Sequence, residues 1–183
     1  MMLDYSDLSR TVSHALRHEP WVYELEIDND GWVVVESLLD SLRSLKPEWS
    51  SLRGEDVEKM IIQSNKKRHE LSNNGDKIRA LYGHTIPGKL EKQSAQPPEI
   101  LYHGTSPKSA ELIYQEGLKS MTRQYVHLAV NVRDAERVGK RKSHEPVILK
   151  IKAGDASSDG IDFYIGNEKI WLSDFIPPIY IKP

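Results

Sequence analysis

Histidine and threonine residues next to two apolar stretches could bind or orient a small-molecule ligand. Leu101-Tyr102 runs into His103-Gly104-Thr105, which would place an imidazole, a bare backbone and a hydroxyl at a strand end. The glycine would admit a close ligand contact, since it has no Cβ. His127-Leu128 lies in a second apolar stretch, where strand alternation would turn the histidine toward solvent. A single strand-end histidine is more often structural, so neither segment is decisive alone.

Four cationic side chains could bind a phosphate. Arg17-His18 ends a helical pattern, Arg79 lies in a hairpin pattern, and Arg141 follows a helical stretch. Each has a simpler explanation: Arg17, His18 and Arg141 as solvated charges at helix C-termini, and Arg79 as the cross-strand ion-pair partner of Glu70.

Composition excludes several classes of protein. The 183 residues include 38% hydrophobic and 28% charged residues and no cysteine, which is typical of a folded globular protein without disulfides or thiolate metal sites. No GxGxxG, P-loop or HExxH motif is present, and no apolar run reaches the ~20 residues that cross a bilayer. The N-terminal residues lack signal-peptide character, so a cytoplasmic protein is expected.

The charge is unevenly distributed. The net charge of −2 is unusual for a nucleic-acid-binding protein. Basic residues nevertheless cluster at Lys66-Lys67-Arg68 and between Arg133 and Lys142. This pattern favours a local grip on a few phosphates rather than the coating of a long duplex.

Helical and hairpin signals fill the N-terminal half. Apolar spacing predicts a first helix through Leu16 with Ser6 or Asp7 as its N-cap, a strand-like segment at 32–35 followed by a second helix, and a third helix over 54–64. Asn74-Gly75 predicts a hairpin between 68–72 and 77–82. We therefore expect a winged-helix-like lobe over residues 1–87.

A proline- and glycine-containing polar stretch predicts a linker over residues 88–99. Beyond it, strands are predicted at 100–103, 126–129, 147–152 and 169–172, with helices at 108–116 and 132–138. The expected fold is α+β, with a mixed α/β lobe over residues 100–183.

Eight ordered segments resemble the RNA 2′-phosphotransferase family across nearly the whole chain outside the linker. They are LSRTVSHALRHEP at 8–20, DNDGWVVVESLL at 28–39, KKRHELSNNGDKIRALYGHT at 66–85, LYHGT at 101–105, QEGLKSMTRQYVHLA at 115–129, AERVGKRKSHEPVIL at 135–149, DGIDFY at 159–164 and IWLSDFIPP at 170–178. The chain departs from the family pattern at three positions: His69 stands where the family usually has Phe, and Thr85 and Ala129 stand where it usually has Ser.

The resemblance implies an N-terminal RNA-binding lobe and a C-terminal lobe with the ADP-ribosyltransferase fold. It implies an Arg-His-Arg-Arg tetrad, which by motif position falls on Arg17, His18, Arg79 and Arg141, converging on one phosphate. It places NAD, as a consumed co-substrate, at His103, Gly104 and Thr105 and at His127 and Leu128. No metal is required.

The implied reaction has two steps. The RNA 2′-phosphate attacks the nicotinamide ribose of NAD, and the ribose 2″-oxygen then attacks the phosphorus. The products are RNA with a 2′-hydroxyl, ADP-ribose 1″,2″-cyclic phosphate and nicotinamide. The enzyme would bind NAD and tRNA-like RNA that carries a 2′-phosphate. It would act as a monomer. His18 would act as general acid or only as a phosphate ligand.

Two other functions stay open on the sequence. A non-catalytic RNA-binding module would explain the basic clusters but not LYHGT or YVHL. An ADP-ribosyltransferase acting on protein commonly uses a glutamate on a late strand, where this chain reads Pro146 to Leu149. ADP-ribosylation of a terminal nucleic-acid phosphate is the remaining alternative, as a secondary activity.

Overall fold

A computed structural model describes residues 2–85, 93–121, 123–166 and 168–183, and the chain divides into two units, Met1–Pro87 and Gly88–Pro183. Both units mix helices with antiparallel strands, so the chain is a mixed α and β protein. In the described part of the chain, no helix is both long enough and apolar enough to cross a membrane.

In order, the elements of the first unit are α1 (Tyr5–Arg17), β1 (Val33–Val34), α2 (Val35–Arg43), α3 (Gly54–Gln63), β2 (His69–Leu71) and β3 (Lys77–Ala80).

The first helix begins two or three residues earlier than the predicted caps imply. The N-cap of α1 is Asp4, whose carboxylate accepts hydrogen bonds from the backbone of Ser6 and Asp7. The predicted caps Ser6 and Asp7 are therefore wrong, because Asp4 stands one position before the helix and satisfies both free N–H groups.

A three-stranded sheet in the order β1-β3-β2 packs with the helices of this unit. Of the segment at 32–35, only Val33–Val34 pairs as a strand, because α2 begins at Val35. The predicted hairpin is confirmed, with Glu70 opposite Arg79. The buried apolar face of α1 packs into the core of this unit. It consists of Leu8, Val12, Ala15 and Leu16.

The second unit contains a seven-stranded sheet in the order β12-β8-β5-β7-β10-β9-β4 and a two-stranded ribbon of β11 and β6. Its elements are β4 (Gln93–Ser94), β5 (Leu101–Thr105), α4 (Pro107–Glu116), β6 (Leu118–Lys119), β7 (Val126–Ala129), α5 (Val132–Lys142), β8 (Val147–Ile151), α6 (Ala153–Ser158), β9 (Phe163–Ile165), β10 (Ile170–Ser173), β11 (Phe175–Ile176) and β12 (Ile181–Lys182). Three short 3₁₀ turns complete the described elements, at Pro20–Tyr23, Pro47–Trp49 and Pro178–Tyr180.

The four predicted strands and the helix α4 are present with bounds that differ by at most two residues, and larger differences occur in the linker and at the end of α5. Gln93–Ser94, predicted inside the linker, form an edge strand that pairs with Tyr164 and Ile165. Residues 88–92 of the predicted linker lie outside the described residues, and residues 95–99 contain no helix or strand. Helix α5 continues to Lys142, so Arg141 lies in its last turn and not after it. Helix formation tolerates the glycine at position 139 because α5 packs closely on β5 there.

Candidate phosphate site and candidate nucleotide site

Arg17 lies at the C-terminal end of α1 with part of its guanidinium enclosed by the first unit. Its guanidinium carbon lies 4.8 Å from the centre of the Tyr82 ring. Nε and Nη2 are buried, and among the described residues neither has a hydrogen-bond partner. Buried donors without partners are costly, so their presence calls for an explanation such as a bound ligand, ion or water.

His18 is the C-cap of α1 and is tied to the end of the first unit. Its Nδ1 lies 2.6 Å from the Thr85 hydroxyl oxygen. The Thr85 backbone N–H donates to the Arg17 carbonyl at 2.7 Å, which satisfies one of the free carbonyls of the helix end. The same threonine therefore ends the helix and orients the imidazole.

A cavity of about 560 Å³ lies along α1 and contains both residues. Its lining is polar and cationic, and it contains no carboxylate among the described residues. The lining residues are Tyr5, Ser6, Ser9, Arg10, Ser13, His14, Arg17, His18, Met60, Gln63, Ser64, Asn65 and Arg68. A cavity whose described lining has several hydrogen-bond donors and no negatively charged side chain is suited to binding an anion.

Arg68 shares this cavity with Arg17 and His18, although the sequence motif did not assign it to the site. Its Nη1 donates to the Ser64 hydroxyl at 2.8 Å. The sequence did show it within the basic run Lys66-Lys67-Arg68. Only the fold shows that the last member of that run, which lies between α3 and β2, lines the same cavity as Arg17 and His18.

The pKa of the neighbouring His69 is lowered in part by the positive charges at this site. Its side chain is buried and hydrogen-bonds through Nε2 to the Ser13 hydroxyl at 3.0 Å. Burial, reinforced by the charges of Arg17 and Arg68, lowers the pKa of His69 to about 4. The imidazole is neutral near pH 7, so it adds no further cation beside the two guanidinium groups.

Arg79 has other partners in the same unit. Its Nε donates to the Glu70 carboxylate at 2.6 Å and its Nη1 to the Asp30 carbonyl at 3.2 Å. The guanidinium also lies 4.3 Å from the centre of the Trp32 ring. Side chains alternate along β3, so Arg79 points to the opposite face from its buried neighbours Ile78 and Ala80. The cross-strand ion pair anticipated as the simpler explanation is thus present.

In the second unit, β5 and β7 bring the two histidine segments together. The His103 ring donates through Nδ1 to the His127 carbonyl at 3.0 Å, which fixes the ring orientation. His127 is only 6% exposed, so the expectation that it faces solvent is wrong. Strand β7 is covered on both faces, and all four of its residues are buried.

Gly104 has a packing role that the sequence did not indicate. A Cβ built on it would lie 1.9 Å from the Ala135 carbonyl oxygen and 2.8 Å from the Gly139 nitrogen. The glycine therefore admits the backbone of α5, not a ligand, on that side. Thr105 and Leu128, the other two predicted nucleotide contacts, are also almost fully buried.

Arg141 is only 6% exposed. The sequence-based view of a solvated cation at a helix end is wrong for this residue, because α5 continues past it and packs against the sheet. A buried guanidinium is stable only when its charge is compensated. Its replacement therefore affects folding as well as any role in binding.

Comparison with known proteins identifies the family. Residues 4–175 match the family model described as RNA 2′-phosphotransferase, Tpt1 / KptA family. A protein named probable RNA 2′-phosphotransferase from Bacillus thuringiensis subsp. konkukian is 53% identical over 177 residues, covering 97% of this chain and 94% of that protein. Proteins with the same name from Acetivibrio thermocellus and Pyrococcus horikoshii are 48% and 34% identical, covering 100% and 93% of this chain and 98% and 93% of their own lengths. The chain therefore belongs to the RNA 2′-phosphotransferase, Tpt1 / KptA family.

Proposed function

We propose that this enzyme removes an internal 2′-phosphate from RNA and transfers it to NAD, leaving a 2′-hydroxyl on the RNA. The observation that carries the proposal is the cationic cavity of the first unit, which is lined by Arg17, His18 and Arg68 and has no carboxylate among its described lining residues. The family membership supports the reaction class, RNA 2′-phosphotransfer.

In this proposal, Arg17 and Arg68 bind the 2′-phosphate. A guanidinium presents parallel N–H donors that match the oxygens of a phosphate, so it fixes orientation as well as charge. A phosphate dianion needs no general base to act as a nucleophile, so positioning is the main contribution of these residues. The cations also stabilise the negative charge that develops on the phosphate oxygens as the RNA oxygen departs.

His18 is proposed as the residue that donates a hydrogen bond or a proton to the phosphate or the departing RNA oxygen. Its Nδ1 contact with Thr85 orients the ring, so Nε2 is the atom available to the ligand. The oriented imidazole resembles other catalytic histidines, in which a partner on one nitrogen positions the other.

NAD is proposed to bind the second unit at His103, Gly104, Thr105, His127 and Leu128. The support is the resemblance at LYHGT and VHL, together with the His103 contact that joins β5 to β7. Helix α5 fills the space that a Cβ of Gly104 would occupy. NAD would therefore contact these residues only on the sides that α5 leaves open. When bound, NAD would supply a ribose carbon that accepts the phosphate as nicotinamide leaves.

The finer assignments are also proposals. We propose that the first unit is a winged-helix-like RNA-binding lobe, that the second has an ADP-ribosyltransferase-like fold, and that the enzyme is a monomer acting on tRNA-like RNA. Arg79 and Arg141 stay predictions as members of the tetrad, and the ion pair of Arg79 with Glu70 favours Arg68 as the third cation.

One experiment tests this function. The protein is incubated with an RNA oligonucleotide carrying one internal 2′-phosphate, with and without NAD, and the RNA and nicotinamide are quantified. We expect 2′-hydroxyl RNA and one nicotinamide per phosphate removed, only when NAD is present. Tight RNA binding without nicotinamide release would instead indicate a non-catalytic RNA-binding module.

A second substrate separates the remaining alternative. An RNA with a 5′-terminal phosphate and no 2′-phosphate should react far more slowly. Faster ADP-ribosylation of that terminal phosphate than removal of the 2′-phosphate would overturn the proposal.

A further inference from the structure

The cavity along α1 extends well beyond the residues assigned to the 2′-phosphate. Arg10 and Arg17 both line it, and they lie two helical turns apart on the same face of α1. At 1.5 Å per residue, the two positions are separated by about 10 Å along the helix axis. A phosphate held by Arg17 therefore leaves the Arg10 end of the cavity unfilled.

The volume of the cavity also indicates that it holds more than one phosphate group. At about 560 Å³, the cavity falls in the range of clefts that enclose a drug-sized ligand. A single phosphate group is much smaller than that. The space is sufficient for a nucleotide or more of single-stranded RNA attached to the phosphate.

The Arg10 end offers donors suited to a backbone phosphate. Ser6 and Ser9, which are close to Arg10 along α1, contribute hydroxyls to the lining. The side chain of Arg10 is 74% exposed, and its ion pair with Asp7 is long, at 3.6 Å. Asp7 also binds Lys46, so it does not depend on Arg10 for compensation. Arg10 can therefore turn to a ligand at little cost.

We infer that this end of the cavity is a second phosphate site, which binds an internucleotide phosphate of the RNA strand one to three nucleotides from the 2′-phosphate. The inference rests on the function proposed above, in which Arg17 and Arg68 hold the 2′-phosphate. Arg10 contacts the phosphate, and the hydroxyls of Ser6 and Ser9 donate to its oxygens. Contacts of this kind are independent of base sequence, so they fix the register of the strand without selecting a sequence.

The test compares Arg10→Ala with the wild-type enzyme on a single-stranded oligonucleotide that carries one internal 2′-phosphate. We expect the KM for RNA to rise about three- to tenfold, because the lost contact comes from a largely exposed cation and is weakened by solvent, while kcat changes little. The slope of log(kcat/KM) against log[salt] should become shallower by about 0.7, the value for one phosphate contact to a single strand. Lys59→Ala is the matched control, since it removes an exposed cation of α3 that does not line the cavity.

Replacing single phosphates by neutral methylphosphonates locates the contact. At one position within three nucleotides of the 2′-phosphate, the neutral group should raise the wild-type KM by the same factor and have no further effect on Arg10→Ala. The inference is overturned if no position shows this loss of coupling, or if Lys59→Ala reproduces the effect of Arg10→Ala. Failure of the wild-type enzyme to remove the 2′-phosphate from any of these RNAs would instead count against the proposed function itself.

Discussion

The first unit presents Arg17, His18 and Arg68 to a cavity, whereas the second unit buries its candidate residues in a packed sheet. Arg17 lines the cavity, and two of its guanidinium nitrogens are buried without hydrogen-bond partners among the described residues. His103, Thr105, His127 and Leu128 are each at most 7% exposed, and Gly104 is in contact with the backbone of α5. Motif residues can therefore serve two purposes: some present donors to a ligand, and others hold the framework that shapes the site.

The largest effect is expected from a substitution at Gly104, which tests directly whether a motif residue of the second unit is a packing residue or a ligand contact. Gly104→Ala places a Cβ against the backbone of Ala135, which cannot move like a flexible side chain, so we expect a loss of at least about 3 kcal/mol in the free energy of unfolding. Gly54→Ala is the control, because a Cβ there meets nothing within 4 Å. Urea denaturation of both variants measures the difference. A fully stable Gly104→Ala protein that has lost only NAD affinity would instead make the glycine a ligand contact.

The next largest effect concerns the donors of the cavity. Arg17→Ala and Arg68→Ala should each lower kcat/KM on 2′-phosphorylated RNA by roughly tenfold to several hundredfold, because charge-assisted hydrogen bonds are worth about 1.5–3 kcal/mol each. The lysine variants should recover little activity, since an ammonium group does not reproduce the planar fork. Thermal denaturation checks that both variants stay folded. Full activity in either alanine variant would remove that residue from the phosphate site.

A pH titration sharpens the comparison within the first unit. The pKa of His69 is about 4 in the folded protein and about 6.5 in the unfolded chain, so the unfolded state binds more protons as the pH falls below 6.5. The stability that the neutral imidazole confers is therefore present above pH 6.5 and is lost as the pH falls toward 4. Between pH 7.5 and 5 we expect His69 to account for about 2 kcal/mol of the lost stability.

His69→Phe should remove that component of the pH dependence, and His84→Phe, at an exposed position, should leave it unchanged. Urea titrations at several pH values measure both. Parallel stability profiles for the wild type and His69→Phe would mean that the burial and positive charge around His69 are overestimated.

The smallest effect is expected at Arg79. Its ion pair with Glu70 is part-buried, and its stacking on Trp32 adds a cation–π contact, so Arg79→Ala should cost about 1 kcal/mol of stability. We expect kcat/KM to fall less than threefold, in contrast to Arg68→Ala. A loss at Arg79 as large as that at Arg17 would restore Arg79 as the third member of the tetrad.

Local signals predicted much of the secondary structure. The hairpin register that places Glu70 opposite Arg79 followed from Asn74-Gly75, and the strand and helix over 126–129 and 54–63 were placed to within a residue. Short strands such as β4 and β12 were missed, because two residues carry no periodic pattern and owe their geometry to a distant partner.

The site was less predictable than the fold for the same reason. Arg17 and His18 were assigned from the motif, and the structure places them in one cavity. The basic run that contains Arg68 indicates phosphate binding, but its place beside Arg17 and His18 depends on how the segment between α3 and β2 folds in this unit. The packing role of Gly104 likewise depends on α5, which follows later in the chain. Both facts are properties of tertiary contacts, which a pattern along the chain does not contain.

The contact between Thr85 and the end of α1 has a consequence for protein synthesis. The α1 helix leaves the ribosome before Thr85, the residue that orients His18 and donates to the Arg17 carbonyl, because Thr85 is made near the end of this unit. Domains tend to fold as they emerge, N-terminal parts first. We expect nascent chains that have emerged from the exit tunnel only as far as residue 80 to form the helical core without an ordered His18, so that RNA cannot engage the growing polypeptide productively until residue 85 has also emerged.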